Sequence, residues 1–217
     1  TIFLALGAWR ISKKNVLTRR PAVIESLGSA TVLCTDKTGT LTQNKMTVTR
    51  LYNGTSFYTP SQTESLPENF HEIIEYGILS SQIDPFDPME KAITKMGAEQ
   101  LANTEHIHHD WEMVKEYPLS KELLAMSRVF TCNDCDWQVV AAKGAPEAIF
   151  DLCHLSTDEQ QRLAKEVETM ANAGLRVLGV AKGRIETLVV PEIQHDFEFS
   201  FVGLIGLSDP IRENVPM

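Results

Sequence analysis

Asp36-Lys37-Thr38-Gly39-Thr40-Leu41-Thr42 places one carboxylate ahead of small hydroxyl residues and a glycine. A carboxylate in that setting suits a nucleophile that accepts a phosphoryl group. Backbone N–H groups and threonine hydroxyls can hold phosphate oxygens, and Lys37 adds positive charge nearby. Turn chemistry alone also explains such a run, because Asp, Thr and Gly are all good turn formers. Two further groupings carry ligand atoms. Cys132-x-x-Cys135 has half the spacing of a zinc site, yet no second pair follows, so it reads as a hairpin turn. His106-Ile107-His108-His109 reads as an exposed, solvated loop rather than a metal site.

Ala30 to Thr35 is a short β-prone run without polar alternation, which predicts a buried parallel strand ending at Asp36. Such a strand end is where open α/β sheets bind ligands. It would also place Cys34 on the same face as Asp36, with no catalytic role. Val48 to Tyr58, centred on Asn53-Gly54, predicts a hairpin. Helices are predicted near 67–82 and 87–102; the second has Asp87 as N-cap, Pro88 at its first position and Glu90 as a capping-box partner. Strands are predicted at 113–117, 126–132, 137–143, 175–181 and 197–207. Between them Pro146 opens one helix, and Ser156-Thr157-Asp158-Glu159 caps another that ends near Gly174. Hairpins and helix pairs of this kind read as an α+β insertion between two pieces of an α/β domain.

The 217 residues are 43% hydrophobic and 23% charged, which excludes disordered and low-complexity classes. A net charge of −9 argues against nucleic-acid binding. Four cysteines are too few for a disulfide scaffold. The apolar run Ile2 to Trp9 is too short to span a bilayer, which takes about 20 residues. Followed by Arg10, Lys13, Lys14, Arg19 and Arg20, it has the pattern of the cytoplasmic end of a membrane helix.

The segment Asp36 to Thr42 resembles the phosphorylation motif of the P-type ATPases, cation pumps that form an aspartyl-phosphate. The resemblance makes Asp36 the phosphorylated catalytic residue, with its carboxylate and the Thr38 carbonyl as Mg²⁺ ligands. Related phosphatases carry a second Asp at the place of Thr38. Without that base, water is poorly activated and the intermediate persists. Asp209-Pro210-Ile211-Arg212 resembles the family's Asp-Pro-Pro-Arg return hinge, with Ile211 replacing the second proline. The implied fold is a partial Rossmann-like (haloacid-dehalogenase-type) phosphorylation domain. Inserted into it is an α+β nucleotide-binding domain built on an antiparallel sheet flanked by helices. The implied divisions are 1–19 (membrane-helix end and linker), 20–44 (phosphorylation domain, first part), 45–207 (nucleotide-binding domain) and 208–217 (hinge and second part).

Inside the insertion, Asp87-Pro88-Met89-Glu90 matches the segment whose Glu contacts the adenine amino group. Lys143-Gly144-Ala145-Pro146-Glu147 matches the motif whose Lys lines the adenine pocket while its Gly admits the base, and it points to type II pumps. Gly174-Leu175-Arg176 matches the segment whose Arg reaches the phosphates, as a bidentate guanidinium can. Tyr117 to Ser127 departs from the pattern: Leu119 stands for the adenine-stacking Phe and Leu124 for a Lys, leaving Tyr117 as substitute stacker. Base–aromatic stacking contributes about 1–3 kcal/mol, so weak ATP binding is expected.

The resemblance thus implies ATP-driven cation transport, with ATP and Mg²⁺ as cofactors. The implied partners are the actuator and membrane domains of the same polypeptide, the latter holding the transported cation. The parent is implied to be a multi-pass membrane protein with this segment on its cytoplasmic side. The opening Thr1 and the lack of the family's later Gly-Asp-Gly-x-Asn-Asp segment suggest a piece of something longer, unable to pump alone. A soluble phosphatase and a catalytically silent regulatory module are the competing readings. Thr38 argues against the first, and Leu119 and Leu124 favour the second.

Overall fold

A computed structural model describes residues 2–14, 16, 26, 28–32, 34–61, 64–102, 104–108, 110–131, 137–186, 189–212 and 215. Arg19, Arg20, Cys132, Cys135 and His109 lie outside the described residues. The chain divides into two compact units, Thr1–Leu41 and Thr42–Met217.

In the first unit, helix α1 (Ile2–Ser12) leaves Ile2, Phe3, Leu6 and Trp9 exposed, and the Lys13 ammonium lies 3.9 Å from the Trp9 ring centroid. No helix among the described residues is long and apolar enough to cross a membrane. The predicted strand at 30–35 does not form. Ala30, Thr31, Val32, Cys34 and Thr35 are exposed, and Val32 reaches 78%. A buried parallel strand takes its stability from neighbouring strands and covering helices, and the described residues of this unit supply no partner strand. Cys34 and Asp36 therefore do not share a strand face. After Asp36 the backbone winds into a π-helical turn, Lys37–Leu41, with Gly39 at φ +76°.

The second unit is a seven-stranded antiparallel sheet, in order β2-β1-β7-β6-β5-β4-β3. Its strands are β1 (Thr47–Tyr52), β2 (Phe57–Tyr58), β3 (Glu112–Tyr117), β4 (Ala125–Thr131), β5 (Gln138–Gly144), β6 (Arg176–Ile185) and β7 (Phe199–Ser208). β5 is buried along its whole length. β3, at one edge, carries a register shift between Met113 and Lys115. One sheet face packs against α2 (His71–Leu79) and α3 (Pro88–Gln100) through Ile73, Ile74, Ile93, Val180, Ile205 and Leu207. The other face meets α4 (Pro146–Leu152) and α5 (Thr157–Asn172): Ala142 and Ala181 cluster with Ile149 and Leu152, and Leu204 with Phe150, Leu163 and Met170. Alternation along each strand feeds both cores, as the two-residue period requires. Five of the expected strands and the expected hairpin are all present, within a residue or a few of their predicted ends.

Local chemistry fixes the helix starts. Asp87 accepts from the Met89 and Glu90 amides at 2.8 and 3.2 Å, with Pro88 at the first helical position of α3. Glu90 does not return the bond to the cap; its carboxylate turns inward, so the expected box is half formed. The box at α5 is complete: Ser156 Oγ accepts from the Glu159 amide at 3.4 Å, and Glu159 accepts from the Ser156 amide at 3.1 Å. Gly174, at φ +79°, ends the helix in the left-handed conformation that glycine adopts without steric cost. Ser156→Ala removes the cap and is expected to cost about 1 kcal/mol. That corresponds to about 2–4 °C in a thermal melt followed by circular dichroism.

Candidate functional site

Lys143, near the end of β5, points onto the α2–α3 face of the sheet and is only 4% exposed. An ammonium there survives only if all three of its protons find acceptors. They do: Nζ donates to the Ser80 carbonyl at 2.7 Å, Ser81 Oγ at 3.0 Å and Glu90 Oε1 at 2.7 Å. Two of these acceptors sit just beyond the C-terminal end of α2, where partial negative charge favours a cation. The second Glu90 oxygen accepts from the Gln82 amide at 3.2 Å. Burial pushes the Lys143 pKa down to about 8, the Glu90 carboxylate opposes that shift, and Arg128 adds to it. The two predicted site residues thus meet as a water-excluded ion pair, although 53 positions separate them.

Arg128 was not singled out from the sequence. It lies on β4 on the same face as Lys143, buried, with its guanidinium on the Ser81 carbonyl and the Glu116 carboxylate, while its Nε has no hydrogen-bond partner. A single charged residue inside the strand-forming run 125–131 was the available signal. Gly144 faces the β4 backbone closely. A Cβ there would lie 2.3 Å from the Leu124 carbonyl oxygen, so glycine is what lets the two strands approach.

The remaining predicted residues lie on other segments of the unit. Leu119 and Leu124 are exposed, at 60% and 48%, on the loop between β3 and β4. Tyr117 is no substitute stacker: it is buried, its ring meets Phe197 edge-on at 5.4 Å, and its hydroxyl donates to the Pro191 carbonyl. Ile83 and Phe86 are exposed in the segment that leads from α2 into α3. Arg176 is exposed at the start of β6, opposite Leu207. A groove of about 610 Å³ between β1 and α3 is lined by none of these residues.

Asp209 and Arg212 form a separate cluster where the chain leaves the sheet. Asp209 accepts from Thr42 Oγ1 at 2.5 Å and from the Lys45 amide at 3.1 Å. Arg212 Nε donates to the Thr42 carbonyl at 2.9 Å, and the Gln43 amide to the Pro210 carbonyl at 2.9 Å. With the Thr42–Ile211 bridge, the two crossings are laced together. Asp36 is exposed in the other unit, at the head of the Lys37–Leu41 turn that contains Thr38.

The family model for the P-type ATPase cytoplasmic domain N matches residues 86–214, more than half of the chain. A calcium-transporting ATPase of Bacillus cereus is 30% identical over 235 residues, covering 99% of this chain and 26% of that protein. A calcium-transporting ATPase of Saccharomyces cerevisiae is 32% identical over 259 residues, with 99% and 26% covered. The human calcium-transporting ATPase type 2C member 1 is 28% identical over 254 residues. The chain spans about a quarter of the length of these relatives.

A depressed lysine pKa means that the folded chain binds this proton more weakly than the unfolded chain does. Stability from Lys143 is therefore lowest below about pH 8 and rises with pH up to the unfolded value of 10.5. Replacing both partners, Lys143→Met with Glu90→Gln, removes that rise and leaves neutral-pH stability little changed. Lys143→Met alone leaves a buried carboxylate unpaired and is expected to cost about 3 kcal/mol. Urea midpoints of the three proteins at neutral pH and at about one unit above the Lys143 pKa check both statements.

Proposed function

The chain belongs to the P-type ATPase family, and on that premise we propose that its sheet unit binds ATP for an ATP-driven cation pump. The observation that carries the reading is the Lys143–Glu90 contact, because it joins the two motifs assigned to the adenine pocket. Gly144 sits beside Lys143, and Arg176 supplies the cation for the phosphates. Exposed Leu119, on the same loop as exposed Leu124, offers an apolar surface to the base without a π-stack. The buried pair must loosen to admit adenine, and the missing ring removes stacking energy. Both effects favour millimolar rather than micromolar affinity.

In the parent protein, we assign phosphoryl transfer to Asp36. One carboxylate oxygen attacks the γ-phosphorus, the bond to the β–γ bridging oxygen breaks, and ADP departs with that electron pair. Asp36 is exposed, as an acceptor of a bulky phosphoryl group must be. Mg²⁺ fits the donors assigned to it, the Asp36 carboxylate and the Thr38 carbonyl, because it prefers hard oxygens. When bound, it neutralises the charge that develops on the phosphate.

Residues 1–19 are assigned to a membrane-helix end, 20–44 to the first part of a haloacid-dehalogenase-type phosphorylation domain, 45–207 to the nucleotide-binding domain and 208–217 to the return hinge. The Asp209 and Arg212 bonds to Thr42 support the last division. The transported cation, the actuator domain and the membrane location belong to the rest of the polypeptide, with this segment on the cytoplasmic side.

A second reading, a degenerate regulatory module with little or no ATP binding, is favoured by the closed ion pair and by Leu119 and Leu124. Titration with ATP, followed through backbone amide resonances, separates the two. Saturable millimolar shifts at Gln82, Glu90 and Lys143, reduced roughly tenfold in affinity by Arg176→Ala, support nucleotide binding. No shift at any concentration supports the module, and micromolar affinity contradicts the account given of Leu119. In the intact pump, Asp36→Asn is expected to abolish phosphoenzyme formation and ATP turnover. Normal turnover in that variant would overturn the assignment of Asp36.

A further inference from the structure

In the loop between α3 and β3, His106 and His108 are not solvated as the sequence suggests. The His106 and His108 side chains are only 14% and 15% exposed, and they fold against the start of α2. There they join Glu68, His71 and Glu75. His71 Nε2 lies 2.8 Å from the Leu66 carbonyl, an acceptor only, so that nitrogen carries the proton. Its Nδ1 is then a lone pair, buried without a hydrogen-bond partner, and it faces Glu68 Oε2 at 3.3 Å.

His106 is clamped from both sides. Nδ1 lies 2.6 Å from Glu75 Oε2, while Nε2 lies 3.3 Å from the other Glu68 oxygen. Glu75 also receives His108 Nε2 at 2.7 Å, and the His108 ring stacks on Trp111 at 3.6 Å. One ligand atom from each of Glu68, His71 and His106 lies within 4.8 Å of the others.

We propose that Glu68, His71 and His106 form a tetrahedral site for Zn²⁺, completed by a water molecule. With bonds of about 2.0–2.1 Å, the corners of such a site stand roughly 3.3 Å apart. His71 Nδ1 lies 3.3 Å from one Glu68 oxygen and His106 Nε2 3.3 Å from the other, so a small rotation of the exposed Glu68 carboxylate brings one oxygen to the corner that both nitrogens share. The outer contacts are those that metal-bound imidazoles require. The Nε2–H of His71 donates to a backbone carbonyl and the Nδ1–H of His106 to a buried carboxylate, each leaving the opposite nitrogen for the metal. Two imidazoles and one carboxylate suit Zn²⁺ and disfavour Mg²⁺ and Ca²⁺, which take six or more oxygens. The bound ion pins residues 104–108 to the start of α2.

The test is a Zn²⁺ titration of the full chain in millimolar Mg²⁺ without nucleotide, by competition with a chromophoric chelator. One equivalent should bind with micromolar or tighter affinity. Glu68→Gln and His106→Gln should each weaken it roughly tenfold or more. Glu68 is 79% exposed, so the first variant keeps the fold. His195→Gln, which removes a histidine paired with Asp151, should bind as the parent does. Co²⁺ at the same site should give the visible spectrum of a tetrahedral ion. Absence of saturable binding, displacement by Mg²⁺, or unchanged binding in Glu68→Gln would overturn the site and leave a proton-bridged cluster.

Discussion

The Lys143–Glu90 ion pair constrains everything around it. A lysine in a strand buried from end to end is tolerated only when its charge is met by a carboxylate and its remaining protons by fixed oxygens. Those oxygens come from the turn after α2 and from the first turn of α3. One ammonium therefore sets where β5, α2 and α3 lie relative to each other. Such pairs contribute little net stability against an apolar alternative. What this one contributes is position: Glu90 is held inward, away from the helix cap where its sequence context would leave it.

A second lacing acts where the chain passes in and out of the sheet unit. β1 and β7 are hydrogen-bonded neighbours, and beyond their ends Thr42, Asp209 and Arg212 continue the contact through side chains. Ile211 holds the place of a proline yet still forms the bridge with Thr42. A proline at position 211 would fix φ and remove an N–H. With isoleucine, the bonds of Asp209 and Arg212 carry the stiffness of this crossing.

Much of the fold is legible in the sequence because it is written locally. Ser156 and Glu159, Asp87 and Pro88, and Asn53-Gly54 each signal their turn or cap within four residues, and each is found in place. The strand at 30–35 misled because its apolar run predicts burial, and burial depends on neighbours that its own residues do not specify. Glu90 illustrates the opposite limit: a capping-box position, correctly recognised, was outcompeted by a lysine 53 positions away. Tyr117 was taken by a carbonyl 74 positions on. His106 and His108 look polar and hence exposed, yet Glu68 and Glu75, on the far side of α3 in sequence, draw them inward. Arg128 and Glu116 escaped notice because their pairing exists only once β3 and β4 are in register.

The two margins of the sheet share a property that bears on solubility. β2 is two residues long, too short to offer a full row of free backbone groups. β3 is longer and leaves Met113 and Val114 partly uncovered, but its bulge breaks the hydrogen-bond row, and Glu112, Lys115 and Glu116 place charge along it. Both features disfavour the addition of a strand from a neighbouring molecule. The unit can thus keep a seven-stranded β-layer while discouraging fibril-like stacking at high concentration.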